Sequence, residues 1–268
     1  MGHGYRRLVC GFAALTIAGS AQGQGKAQGS AQDDGTCRLD TLGTAAVRAV
    51  SDSRTLLLAD GREVRLAGIE TPGVGSAGAE PARAALQAFI AGREITLKRL
   101  GTETDRHGRV AAYAFVSGEV PSAQQALVAE GHARVGSRTG SPACAAPLLA
   151  AERAARTARL GLWADPYYGL RRAENPAEVL AEKGRFTLVE GKVLSVRESG
   201  ATIYVNFGRR WSEDFTATVA KRSERAFTAA GLELKKLAGR TVRVRGFVEE
   251  RGGPWIELRA PEQVEIAD

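Results

Sequence analysis

Short runs of alternating apolar and polar residues, broken by glycine turns, dominate this chain, and a few stretches carry the wider apolar spacing of a helix. In the first half, Val47 to Val50 and Thr55 to Leu58 are apolar and β-branched, and Asp60-Gly61 forms a hairpin signal leading into Arg62 to Gly68. Gly73 to Gly78 reads as a loop. Glu80 to Ala91 has helical spacing through Ala84, Leu86, Phe89 and Ile90. Glu94 to Leu100 and Val110 to Val116 are two further strands, Ser122 opens a helix through Ala126, Leu127 and Val128, and Leu148 to Leu160 is an amphipathic helix stopped by Gly161. Five strands with a helix after the third predict a small closed barrel of the OB type. Closure accounts for several strands without long exposed edges.

The second half repeats the theme without repeating the sequence. Phe186 to Val196, Thr202 to Phe207 and Phe215 to Val219 read as strands, Glu224 to Ala230 as a helix, and Thr241 to Val248 and Trp255 to Leu258 as strands around Arg251-Gly252-Gly253. That order again predicts an OB-like barrel. The expected fold class is mainly β with helices, in two barrels. Residues 44–164 form the first, 184–268 the second, and 165–183 a charged, proline-punctuated linker.

Composition adds little to this pattern except at the N-terminus. With 44% hydrophobic and 25% charged residues, the chain is of ordinary globular type, which excludes a disordered polymer. Arg6 and Arg7, the apolar run Leu8 to Ala18 and the small residues Gly19, Ala21 and Gly23 come in the order of a secretory signal. The run is too short to span a membrane, and Cys10 lies inside it, where a lipoprotein anchor would not use it. Residues 1–23 are therefore expected to be a signal peptide and 24–43 a flexible lead-in. The expected location is the periplasm or the exterior. Export leaves Cys37 and Cys144 in an oxidising compartment, where they are expected to pair. Of the net +7, the signal accounts for +2, and the remaining +5 is compatible with an anionic partner without requiring one.

The chemistry is concentrated in two stretches. One runs through Asp52-Ser53-Arg54-Thr55 to Val64-Arg65-Leu66-Ala67-Gly68-Ile69-Glu70-Thr71-Pro72, and the other is Thr104-Asp105-Arg106-His107-Gly108-Arg109. Together with Gln125 to Ala133 and the closing Gly161-Leu162-Trp163, in this order, they resemble the staphylococcal nuclease (thermonuclease) family over about residues 44 to 164. The resemblance implies an OB-type barrel that hydrolyses phosphodiesters in DNA and RNA with one Ca²⁺. Two arginines would bind the phosphate, two aspartates and a threonine carbonyl would hold the metal, and a glutamate would activate water. Carried over, the arginines are Arg65 and Arg109 and the threonine is Thr71. A planar guanidinium suits this role because it meets two phosphate oxygens at once and stays charged.

The chain departs from that pattern at three positions. The first metal aspartate of the family falls on Arg54, the second on Glu70, and the catalytic glutamate on Gly73. A general base contributes roughly 10² to 10⁴ in rate, and a Lewis-acid metal several kcal/mol more. Calcium takes six to eight oxygen ligands, which a guanidinium cannot supply. The departures imply impaired or lost Ca²⁺-dependent hydrolysis. They also imply a different role for Arg54, which would pair with Asp52 or Glu70, stand in for the metal's charge, and complete a three-arginine cradle. Any residual metal would have Asp52, Glu70 and the Thr71 carbonyl as ligands, and Glu80 is a substitute base to consider. His107 and His132 lack a second ligand at zinc spacing.

In the second half, Tyr204, Phe207, Trp211 and Phe215 interleave with Arg209, Arg210 and Lys221. Such a pattern fits a barrel core, or aromatics that stack single strands, with Trp211 the candidate for exposure. The expected function is binding of nucleic acid or another phosphorylated polymer by a monomeric exported protein. Two alternatives stand beside it: an active metal-dependent endonuclease with altered ligands, and a protein-interaction module of the cell envelope.

Overall fold

A computed structural model describes residues 1–2, 37–105, 107–117 and 120–267, with the side chains of Thr102 and Glu103 left aside. Most of the expected signal peptide and most of the expected lead-in lie outside the described residues.

The first barrel is built from β1 (Asp40–Asp52), β2 (Thr55–Leu58), β3 (Glu63–Leu66), β4 (Ile69–Glu70), α1 (Ala79–Ile90), β5 (Glu94–Thr104), β6 (Val110–Val116), α2 (Ala123–Ala129), β7 (Arg134–Val135) and α3 (Pro142–Thr157). Its strands close in the order β1-β2-β3-β6-β5, with β3 and β6 parallel, and β4 pairs separately with β7. Closure depends on the length of β1, whose first half pairs with β5 and second half with β2. The strand starts at Asp40, inside the stretch expected to be a lead-in, because residues 40–46 find a ladder partner in β5 that their small, polar composition does not announce. Leu56, Leu58, Ile95 and Leu97 fill the barrel, and Leu86, Ile90, Leu127 and Leu148 from the helices cover it, all fully buried.

Helix α3 starts six residues before the expected Leu148. Ser141 caps it, its hydroxyl accepting the Cys144 N–H at 3.2 Å, and Pro142 occupies the first turn, where a missing N–H costs nothing. Cys37 and Cys144 form the expected disulfide, tying the chain before β1 to the start of this helix. The glycines of two sequence motifs meet behind it. A Cβ on Gly131 would stand 2.2 Å from the Leu160 oxygen, and one on Gly161 would stand 2.5 Å from the Gly131 oxygen; both residues have positive φ. Only glycine permits that backbone approach, which the Leu162 N–H to Gly131 O bond (2.8 Å) closes.

The second half comprises β8 (Arg171–Arg172), α4 (Pro176–Leu180), β9 (Phe186–Lys192), β10 (Ser195–Ser199), β11 (Thr202–Asn206), β12 (Thr216–Ala220), α5 (Glu224–Ala229), β13 (Thr241–Phe247), β14 (Glu249–Arg251), β15 (Gly253–Leu258) and β16 (Val264–Ile266). They form two sheets, β10-β11-β12-β15-β14 and β16-β13-β9-β8, over one shared core. The run expected as a single strand at 186–196 bends at Val193-Leu194 from one sheet to the other, and the chain does the same at Val248. With each bent pair counted as one strand, the order retraces the circuit of the first barrel, including the parallel pair, here β12 with β15. This is the OB-like architecture, reached by bending rather than by a single continuous sheet.

Residues 165–183 are part of the second half rather than a free connector. Strand β8 adds to β9, and Tyr168, Ala173 and Val179 are buried. The segment's charges pair with one another and with β9: Arg171 donates to Glu182 at 2.6 and 2.9 Å, and Arg172 to Glu190 at 2.7 Å.

A buried ionic junction joins the halves. Arg245 of β13, fully buried, donates to Glu152 of α3 at 2.8 Å, to the Val135 carbonyl at 3.1 Å, and to Glu265 of β16. The same Glu152 accepts the Val135 N–H at 2.6 Å. Thr139 donates to Glu262 at 2.8 Å, and Ala155, Trp163, Phe186 and Leu188 pack alongside. Among the described residues no helix is long and apolar enough to cross a membrane.

Candidate functional site

The site forms where the β1–β2 turn meets β3, β4 and the β5–β6 turn. Asp52 ends β1 and shapes the turn itself: Oδ1 accepts the Arg54 N–H at 2.8 Å and Oδ2 the Thr55 hydroxyl at 3.0 Å. This is turn chemistry typical of aspartate. Ser53 turns inward, is buried, and donates to the Thr71 hydroxyl at 2.6 Å. Arg54 is thereby aimed across the turn at β4.

Its guanidinium meets the Glu70 carboxylate at 2.5 Å and the Ile69 carbonyl at 3.3 Å, with both charged side chains about one-fifth exposed. Of the two partners expected for Arg54, the side chain takes Glu70, and Asp52 is left with the Arg54 backbone. Glu70 is fixed from its other edge, because β4 pairs with β7 at Glu70 and Arg134.

Arg65 lies on β3, opposite Thr55 of β2 and Ala111 of β6. Burial lowers its proton affinity, and the neighbouring Arg54 and Arg109 lower it further, against the opposing pull of Glu70 and Asp52. One electrostatic neighbourhood therefore contains all three arginines. Arg65 has no hydrogen-bond or ion-pair partner among the described residues.

Arg109 is held by Asp105, whose Oδ2 accepts Nε at 2.9 Å and Nη2 at 2.8 Å. Asp105 Oδ1 accepts the backbone N–H groups of His107 and Arg109 at 2.8 and 3.0 Å. Burial would raise this carboxyl, but the Arg109 side chain and those N–H groups outweigh it, and the group is pulled down to about 2. Sequence reasoning gave Asp105 no role. The signal was available: aspartate three before a glycine is a turn opener, and Arg109 follows one residue later.

Gly73 lies in the exposed loop after Pro72, and a Cβ there would meet nothing within 4 Å. Glu80 is engaged by Arg83 on the same helix, at 2.9 to 3.3 Å, and is largely exposed. His132 stands 3.6 Å from Glu130, and His107 occupies the turn after Asp105.

The donor set does not match a calcium ion. Asp52 is committed to its own turn, and Glu70 to a cation that would repel another. No group of three or more His, Cys, Asp or Glu is arranged for a metal among the described residues. What the arrangement can do is present guanidinium forks: Arg65, without a partner among the described residues, and Arg109, which Asp105 holds through Nε and Nη2.

Residues 63–165 match the family described as staphylococcal nuclease homologue. No curated protein matches the chain. The matched span starts at β3 and contains Arg65, Glu70, Thr71, Gly73 and Arg109, while the turn bearing Asp52 and Arg54 lies before it. The closed five-strand barrel and the paired glycines behind it agree with that match. Through residues 63–165, this chain carries a domain of the staphylococcal nuclease family.

Proposed function

We propose that the protein binds a phosphodiester ligand, nucleic acid or another phosphorylated polymer, through Arg65 and Arg109, and that hydrolysis has been lost. The supporting observation is the Arg54–Glu70 pair at 2.5 Å. It places a fixed positive charge on the carboxylate that family resemblance assigns to the metal. Arg65, unpartnered among the described residues, supplies one fork, and Arg109 a second one whose direction Asp105 sets. No carboxylate is positioned at Gly73 to activate water. Export is part of the same reading, supported by the Cys37–Cys144 disulfide, which persists in oxidising compartments.

Three arginines and three carboxylates (Asp52, Glu70, Asp105) balance here, so recognition rests on directed hydrogen bonds more than on a broad positive field. Binding should therefore show a shallow salt dependence, equivalent to about one or two phosphates. The test incubates the purified exported form with labelled single- and double-stranded DNA and RNA in Ca²⁺, Mg²⁺, Mn²⁺ or EDTA. The expected result is binding without cleavage, weakened by Arg65→Ala. Metal-dependent cleavage abolished by Arg65→Ala or Arg109→Ala would overturn the proposal in favour of an active nuclease. Absence of any oligonucleotide affinity would favour a protein-interaction role.

A further inference from the structure

The aromatic residues of the second half divide between two environments. Phe215 is fully buried, and Phe207 packs on it at 4.9 Å. Tyr204 and Trp255 face the other way, into a groove of about 1110 Å³ along the outer surface of β10-β11-β12-β15-β14. Trp211, on the loop between β11 and β12, is 72% exposed and lines the same groove.

These rings are held in position. Trp255 donates from Nε1 to the Thr218 hydroxyl at 2.6 Å, and the Arg251 guanidinium lies 3.1 Å from its ring centroid. Tyr204 sits between Arg197 of β10 and Thr218 of β12 in the ladder. The Trp211 loop is closed by Asp214, whose carboxylate accepts the Arg210 N–H at 2.7 Å. The loop folds against the β14–β15 turn so closely that a Cβ on Gly252 would stand 3.4 Å from the Trp211 ring.

The charges around the groove favour an anion. Arg197 and Arg209 line it, are exposed, and have no hydrogen-bond or ion-pair partner among the described residues. Its one lining acid, Glu198, is neutralised by Lys221 and Lys235 at 2.8 and 2.9 Å. Of the cations that the sequence grouped with the aromatics, Arg210 pairs with Glu213 and Lys221 is taken up by the groove's own Glu198. We propose that this groove is a second binding site, independent of the arginine site in the first barrel, that stacks the unpaired bases of single-stranded nucleic acid on Tyr204 and Trp211 while Arg197 and Arg209 contact its phosphates and Trp255, covered by Arg251, forms its floor. The exposed Trp211 ring, and the half-buried Tyr204 ring in the same groove, need unstacked bases, which a duplex does not offer. The two unpartnered guanidinium groups need an anionic backbone, which a neutral glycan lacks.

The test measures binding of labelled oligo-dT to the full exported chain by fluorescence anisotropy, with Trp211→Ala, Tyr204→Ala, Trp211→Phe and Arg65→Ala compared. Trp211→Ala and Tyr204→Ala should each weaken binding roughly tenfold, and Trp211→Phe should retain most of it. The loss on Trp211→Ala should persist in the Arg65→Ala background, and a duplex should not show it. A loss with Arg65→Ala alone, and none with Trp211→Ala, would sink this site and leave the first-barrel proposal standing; the reverse pattern would do the opposite. Quenching of Trp211 fluorescence by a neutral chitin oligosaccharide, or by a peptide, and not by oligo-dT would also overturn it.

Discussion

Arg54 and Glu70, sixteen residues apart, meet at 2.5 Å between the β1–β2 turn and β4, so a cation and a carboxylate neutralise each other. The turn that aims Arg54 is held by Asp52, and the strand that presents Glu70 is held by β7.

That geometry makes reversion testable. Arg54→Asp removes the blocking charge, and Gly73→Glu adds a carboxylate where nothing obstructs a side chain. Calorimetry should show no calcium uptake by the starting protein and measurable uptake by Arg54→Asp. The double variant should cleave DNA faster than Arg54→Asp alone by roughly 10² or more, the contribution of a positioned base. Uptake by the unmodified protein would refute the charge argument.

If the first barrel binds phosphate as proposed, Arg65 should carry most of that affinity, because it alone of the three arginines has no side-chain partner among the described residues. Arg65→Ala should weaken binding at every sequence tested and reduce the salt slope by about one. Arg65→Lys should restore the slope and only part of the affinity, since an ammonium keeps the charge and loses the fork.

The Asp105 carboxyl, lowered from 3.8 to about 2, predicts an acid-sensitive contribution to stability. A group depressed in the folded state stabilises fully above its unfolded value and loses that effect as pH falls through the folded one. Between pH 4 and about 2, thermal stability should fall with a slope that Asp105→Asn flattens. The variant should be less stable near neutrality, and Arg109 should lose its orientation there.

The junction between halves should be fragile to single truncations. Arg245→Ala leaves Glu152 and Glu265 buried and short of a partner, and is expected to cost about 3–5 kcal/mol in chemical denaturation. Replacing Arg153, which reaches Glu265 at only 3.5 Å from an exposed position, should cost less than about 1 kcal/mol. Equal effects would mean that the buried pair does not join the halves.

Much of this protein is written locally. Alternation and turn residues specify which faces of the strands enter the two cores, because a period of two fixes burial without knowledge of the partner strand. The order of arginines, Thr71-Pro72 and the glycine motifs pointed to the candidate site, and the Cys37–Cys144 disulfide was expected from the two cysteines that a secretory signal would leave. Long-range closure decided the rest. That Arg54 turns to Glu70, that Glu152 waits 93 residues for Arg245, and that 165–183 is ordered all depend on groups brought together only when the barrels close. Charged residues read alone look solvated; desolvation and pairing are properties of the assembled surface. The same holds for Trp211 and Phe215, whose exposure differs because one lies on the loop folded over the outer groove and the other enters the core.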